Sequence, residues 1–411
     1  MINITDKHNC CGCGACVQKC PKQCISLSED NEGFLYPKVD TSVCIDCGIC
    51  EKVCPVLNPF DTRKPFQVLA AINKNEQIRM ESSSGGIFTL LAEKVIAEAG
   101  VVFGARFDEN WQVTLDYTET IEGLAAFRGS KYVQARTGET YKQCEKFLKD
   151  GRKILFSGTP CQVLALKKFL RKNYDNLLTV DLACHGVPSP LIWKRYLEAE
   201  LNQRTAHRAV AGKSTVLFSL KSMSSIKDIK FREKSDGWKK YRFVLTLNES
   251  SDEVEKSSVS SYIHYKNPYF QVFNMGVILR PSCYDCEIRH RCKSGSDITL
   301  ADFWGIETLT QDFDIEKGVS LVLLNSEKAI GLLNGLDLEK TPFTYEDAVR
   351  LNAGLRRTTR LHPKREIFFE NFHSTGDIIE LMESVLRISY IKRVKSKISR
   401  IVSRFFKINV T

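Results

Sequence analysis

KILFSGTPCQVLALKKFL, residues 153–170, decides the fold class because it holds two periodicities back to back. Lys153 to Phe156 is a short apolar run of strand type and Ser157-Gly158-Thr159-Pro160 is a turn. From about Gln162 to Leu170 the apolar side chains then recur at helical spacing, and a second apolar run, Leu177 to Leu182, follows. A strand, a helix and a strand in that order pair in parallel through a right-handed crossover, which opens both strand ends on one edge of a sheet. The flanks have the same texture. Val68 to Ile72, Val101 to Phe107 and Val113 to Tyr117 read as strands, Ile87 to Ala99 reads as a helix, and another helix starts near Ser189-Pro190 and runs on through Leu197. Between Lys213 and Val259 the chain is rich in Ser and Lys with β-type runs at Val216 to Leu220 and Arg242 to Leu247, which predicts an antiparallel insertion.

The chain has 411 residues, 43% hydrophobic and 26% charged, enough for two or three domains with substantial cores and unlike a disordered chain. No apolar stretch approaches the ~18 residues of a membrane span, and Met1 to Cys10 lacks a basic, hydrophobic leader. The expectation is a soluble, cytoplasmic protein. Eight of the net +10 charges lie between Ser384 and Thr411, a stretch without an acidic residue, so only +2 belongs to the rest. This argues against a nucleic-acid-binding face on the body. In the tail Ile388, Ile391, Val394, Ile398, Ile401 and Phe405 recur beside the basic residues. Such a helix suits either a peripheral membrane contact or docking on protein.

Ten of the sixteen cysteines fall within the first 54 residues, and a cytosolic chain holds such thiols for metal rather than for disulfides. Cys10, Cys13, Cys16 and Cys20 recur as Cys44, Cys47, Cys50 and Cys54. Each run is C-x2-C-x2-C-x3-C-P, whose first three thiolates cap one cubane while the fourth serves the other. Cys10, Cys13, Cys16 and Cys54 are therefore assigned to one [4Fe-4S] cluster, and Cys44, Cys47, Cys50 and Cys20 to a second. Paired structural zinc sites are the competing reading, though zinc modules favour cysteines spaced in pairs. Cys11 and Cys24 lie outside the repeat and read as spare thiols. Two cubanes carry single electrons, so the chemistry belongs elsewhere.

Four more cysteines fall where a site can form. Cys161 and Cys184 follow the two parallel strands and should be neighbours at the sheet edge where ligands bind. Cys283 and Cys286 form a C-x2-C pair after Arg280-Pro281. Together the four make either a third [4Fe-4S] cluster, with Cys292 as a substitute ligand, or a zinc site, or unrelated buried thiols. Cys144 reads as core. His185 is a candidate proton relay, with hydrogen-bonded structure as the plainer reading. Neither G-x-G-x-x-G nor G-x-x-x-x-G-K-[ST] is present. Ser82 to Gly86 opens a helix in a way that suits a pyrophosphate or a plain serine cap, and Arg128-Gly129-Ser130-Lys131-Tyr132 offers two cations and a ring to an anionic planar ligand.

SSSGGIFTLLAEKVI, FRGSKYVQ, FSGTPCQVLALK, DLACHGVPSP and RPSCYDC with SDITLADFWGI together resemble the family of the β subunit of coenzyme F420-reducing hydrogenase and its dehydrogenase relatives, over most of residues 66 to 310. Residues 1 to about 55 resemble bacterial-type two-cluster ferredoxins. The resemblance implies an FAD-binding iron–sulfur oxidoreductase exchanging hydride with a deazaflavin or another small-molecule substrate. It strengthens the third cluster and implies that Ser83, Ser84, Gly85, Gly86, Gly129, Ser130, Lys131 and Tyr132, with Thr159, line the flavin region. His185 is the catalytic candidate. A redox partner protein or reduced ferredoxin would exchange electrons with the cubanes, and an electron-transfer subunit without its own substrate is the alternative. The 340–411 extension resembles a polysaccharide-associated bacterial subgroup. The expected fold is an α+β ferredoxin-like two-cluster module, then an α/β domain with a mixed sheet, then a helical tail. Its divisions are the two-cluster module at 1–60, a region at 61–150 like the N-terminal part of the family's β chain, a flavin and iron–sulfur domain at 151–340 like its C-terminal part, and a basic tail at 341–411.

Overall fold

A computed structural model describes residues 1–210, 222–251, 254–289 and 292–387. The strand expected at Val216 to Leu220 and the tail positions Ile388 to Phe405 lie outside the described residues.

The N-terminal module is built around an antiparallel hairpin, β1 (Ile25–Glu29) and β2 (Leu35–Val39), paired from Ile25 opposite Val39 to Glu29 opposite Leu35. The sequence repeat becomes a structural one. Two short helices, Ala15–Lys19 and Ile49–Lys52, are each entered through a left-handed glycine, Gly14 at φ 71° and Gly48 at φ 67°. A side chain there would be strained, so glycine lets each cysteine loop turn into its helix.

The large domain supplies the strands β3 (Gln67–Asn73), β4 (Val101–Phe107), β5 (Val113–Thr118), β6 (Ile154–Gly158), β7 (Leu177–Leu182), β8 (Ile226–Glu233), β9 (Arg242–Ser251), β10 (Val254–Ile263), β11 (Ile298–Asp302), β12 (Ser320–Leu324) and β13 (Leu338–Phe343). One sheet runs β13-β3-β12-β11-β7-β6-β4-β5. Its centre, β4, β6, β7 and β11, is parallel, and the flanking pairs are antiparallel. This is the expected mixed α/β sheet. The deciding unit is β6, the helix Pro160–Leu170 and β7, with Ile154 opposite Leu177 and Gly158 opposite Asp181.

Strand periodicity sends alternate residues to opposite layers. Leu155 joins Leu91, Val180, Ile298 and Leu324 under the helices Ile87–Ala97 and Glu327–Asn334. Ile154 and Phe156 join Tyr141, Val163 and Phe169 under the helices Thr140–Lys149 and Pro160–Leu170. The N-terminal module packs on this second layer. Cys13, Ala15 and Val53 share its core, Thr137 donates to the Cys13 carbonyl at 3.0 Å, and Gln18 accepts from the Tyr141 amide at 2.9 Å.

The insertion is an antiparallel sheet of order β10-β9-β8. Its apolar face meets Trp193 and Tyr196 of the helix Pro190–Val210 and the C-terminal helices Arg365–Phe372 and Ile378–Leu386. Two boundaries read from sequence fall inside continuous structure. Strands from both sides of residue 150 lie in one sheet, and β13 crosses residue 340 to pair with β3, Phe343 opposite Val68.

Candidate functional site: three cysteine-lined cavities

The N-terminal cysteines gather around two hollows. One is lined by Cys10, Cys13, Cys16 and Cys54, together with Cys11, Gly12 and Gly14. The other is lined by Cys44, Cys47, Cys50 and Cys20, together with Cys24. Each run thus contributes its first three thiols to one hollow and its fourth to the other. The first hollow is enclosed, since Cys13, Cys16 and Cys54 are buried. The second lies nearer solvent, with Cys47 exposed beside exposed Val43 and Ile45.

A third cavity, of about 240 Å³, opens at the edge of the sheet. Cys161, Cys184, Cys283 and Cys286 all line it, with Gly186, Val187 and Arg289. The positions follow from the fold. Thr159 caps the helix that starts at Pro160, through a reciprocal box with Gln162, and its hydroxyl lies 3.2 Å from the Cys161 sulfur. Cys184 comes two residues after β7 ends, on the same edge as β6. The loop bearing Cys283 and Cys286 is pinned across it, the Val187 amide donating to the Cys283 sulfur at 3.5 Å and Arg289 donating to the carbonyls of Cys184 and Arg357.

Burial is the first cause that pushes the Cys184 thiol up to about 12, and it raises Cys283 and Cys286 as well. Thiols placed in this way release protons on taking a metal centre, and the centre supplies the compensating charge. Among the described residues no three His, Cys, Asp or Glu side chains close on a single metal ion.

Cys11 lines both the first hollow and the third cavity, and its side chain contacts Cys13 on one side and Cys161 on the other. Sequence spacing gave no hint of this, because the contact joins two distant parts of the chain. Cys24 lies 3.4 Å from Cys20, sulfur to sulfur, inside the second hollow. Cys292 turns away from the third cavity and donates to Asn325 at 3.2 Å, and Cys144 is core. His185 stands next to the cavity without lining it. Its ring meets Phe273 edge-on at 5.0 Å, and burial lowers its proton affinity.

The two segments expected near a flavin do meet. Ser83 Oγ lies 2.8 Å from Ser130 Oγ and accepts from the Ser130 amide at 2.7 Å. Ser84 donates to the Val319 carbonyl, and Gly85 is pressed so closely on the Ala71 carbonyl that a Cβ would lie 2.4 Å from it. Gly86, at φ 83°, starts the helix Ile87–Ala97, and Gly129 borders open space. Lys131 folds back on its own loop, donating to the carbonyls of Arg128 and Gly129, and the Tyr132 hydroxyl accepts from Arg232 at 3.2 Å. The side chains of this segment are thus engaged within the protein, while the amides at the helix start and the space beside Gly129 fit a phosphate-bearing group.

Comparison with known proteins agrees with this division. Residues 9–58 match the family model "4Fe-4S dicluster domain", and residues 151–344 match the model of the C terminus of the coenzyme F420 hydrogenase/dehydrogenase beta subunit. The chain is 26% identical over 199 residues to the F-type subunit of the F(420)H(2) dehydrogenase of Methanosarcina mazei, covering 45% of this chain and 55% of that protein. It is 27% identical over 204 residues to a coenzyme F420-dependent sulfite reductase of Methanocaldococcus jannaschii, covering 48% of this chain and 31% of that one. The matches therefore span about half or less of these relatives. A solved chain from the F420-reducing [NiFe] hydrogenase complex of Methanosarcina barkeri superposes with a TM-score of 0.43 at 14% identity, over 79% of this chain and 91% of that one. The chain is thus a coenzyme F420 hydrogenase/dehydrogenase β-subunit-like protein that carries an N-terminal 4Fe-4S dicluster domain.

Proposed function

We propose that the protein is an iron–sulfur flavoprotein oxidoreductase that moves single electrons through its two N-terminal cubanes and a third [4Fe-4S] centre to FAD. One observation carries the reading: three cysteine-lined cavities lie in sequence, and Cys11 is shared by the first and the third. Cys161, Cys184, Cys283 and Cys286 would hold the third cubane, with Arg289 fixing the loop around it. FAD would supply the junction between one-electron carriers and two-electron hydride chemistry. The chain's own part is to bind it where Ser83 meets Ser130, with Gly129 leaving room and the start of the helix at Ile87 directing amides to phosphate. A deazaflavin of the coenzyme F420 type, the compound in the names of the relatives, is the proposed substrate class.

A second reading, an electron-transfer subunit that serves a partner enzyme and has no substrate of its own, is favoured by the exposed Cys47 and the apolar Val43 and Ile45 around the second hollow. A surface-polysaccharide role and a membrane contact would depend on the tail. Its residues 388–411 lie outside the described residues, and no described helix is long and apolar enough to cross a membrane.

The test is anaerobic purification with iron and flavin analysis. The expected content is roughly twelve iron and one FAD per chain, falling to roughly eight iron in a Cys184→Ser, Cys283→Ser double variant. A wild-type content of roughly eight iron, unchanged in the variant, would remove the third centre. Reduction of the flavin by a deazaflavin alone would select the enzyme, and reduction only with a protein partner would select the subunit.

A further inference from the structure

Arg280 is fully buried, yet no carboxylate among the described residues pairs with it. Its Nε donates to the Cys10 carbonyl at 2.6 Å, Nη2 to the Leu35 carbonyl at 2.9 Å, and Nη1 to Gln134 Oε1 at 3.2 Å. Nη2 also points at the Cys10 sulfur, 3.5 Å away. The guanidinium lies over the Tyr36 ring at 4.2 Å and near Phe34 at 5.4 Å. Carbonyls, an amide and rings satisfy the donors but leave the charge uncancelled, and an isolated buried charge is among the costliest features a fold can carry. Cys10 Sγ is the one group in this set of contacts that becomes anionic as a cluster ligand.

The fit is close on both sides. Gly12, at φ 69°, sits so near that a Cβ there would stand 2.6 Å from Arg280 Nη1, so the cysteine loop is shaped around the cation. The Arg280 amide donates to the Val187 carbonyl at 3.0 Å, and the residue opens the loop that carries Cys283 and Cys286. The second hollow has a different surrounding. The cation on its lining nearest the hydrophobic rim, the Met1 amino group, is exposed and paired with Asp46 and Glu51.

We infer that Arg280 is a positioning residue for the first cubane and its internal counter-ion, setting that centre's reduction potential through charge and a hydrogen bond to the Cys10 thiolate. Reduction takes one electron, [4Fe-4S]2+ to [4Fe-4S]1+, and adds one negative charge beside the guanidinium, so the buried cation favours the reduced form and raises the potential. The inference rests on the dicluster domain alone and stands or falls independently of the third centre and the flavin.

The test is an EPR-monitored redox titration of the full-length protein, wild type against Arg280→Gln and Arg280→Lys, with iron content measured on each. At the potential where the wild-type first cubane is half reduced, R280Q should show a reduced-to-oxidised ratio at least tenfold lower, a shift of about 59 mV for a one-electron couple. R280K, which keeps the charge, should lie between the two, and the second cubane's titration should not move. Full iron with an unmoved first titration in R280Q would overturn the inference, as would an equal shift of both cubanes. If R280Q fails to load the first cubane, pulsed EPR of reduced wild-type protein labelled with 15N-arginine decides. A guanidinium 15N coupling to the first cubane is expected, and its absence would overturn the assignment.

Discussion

At the scale of single residues, burial rather than formal charge sets behaviour around the candidate flavin segment. Lys131 turns its ammonium inward onto two carbonyls of its own loop, and desolvation lowers its pKa to about 7. Its unfolded value is ~10.4, so between about pH 10 and 7 the unfolded chain binds a proton that the folded one does not. The stability contribution of this residue is therefore lost as pH falls through that window, and it is constant below it. Lys131→Met should flatten the fall in Tm between about pH 10 and 7, and an unchanged slope would show that the ammonium stays solvated. Residues of this kind were only partly legible. The spacing of the N-terminal cysteines is local information, readable without a structure. The placement of Cys11 between Cys13 and Cys161, and of Arg280 against Cys10, comes from contacts between segments far apart in sequence, 270 residues apart in the second case.

At the scale of elements, the edge formed by β6 and β7 does the positioning. Thr159 ends β6's turn and caps the following helix while its hydroxyl also touches Cys161. Thr159→Ala removes the hydroxyl half of the capping box and should cost about 1 kcal/mol, read as a lower denaturant midpoint at constant m. The stretch that yields this element pair was legible because a buried strand and an amphipathic helix have different periods. Strand β13 was not, since Leu338–Phe343 carries polar residues and Pro342 at a sheet edge and acquires its strand state only by pairing with β3. That is why a boundary read at residue 340 falls within it. The cavity at Cys161 is an intermediate case: parallel pairing told that Cys161 and Cys184 share an edge, while the closing loop from Cys283 depends on Arg289 and Val187.

At the scale of the whole molecule, the module and the α/β domain act as one electron path only because they are docked. Besides Arg280, a buried fork of Arg365 holds Glu32 at 2.8 and 2.5 Å, tying the hairpin loop to the C-terminal helices. Lys19 and Glu145 pair across the same interface at 3.0 Å. This docking presses the first hollow, through Cys11, against the third cavity and leaves the second hollow at the surface. The order implies that an electron arriving at the exposed second cubane passes the first before it reaches the sheet edge. Removing the first cubane with Cys16→Ser should therefore leave the second reducible by a protein donor yet slow reduction of the third to the rate of its own direct encounter with that donor. Freeze-quenched EPR, resolving the order in which signals appear, checks this, with dithionite as the small reductant that reaches all centres. If the third signal rose as fast in the variant as in the wild type, the docked interface around Cys11 would not be the route, and electrons would have to reach the cavity past His8 and Asp285 at its mouth.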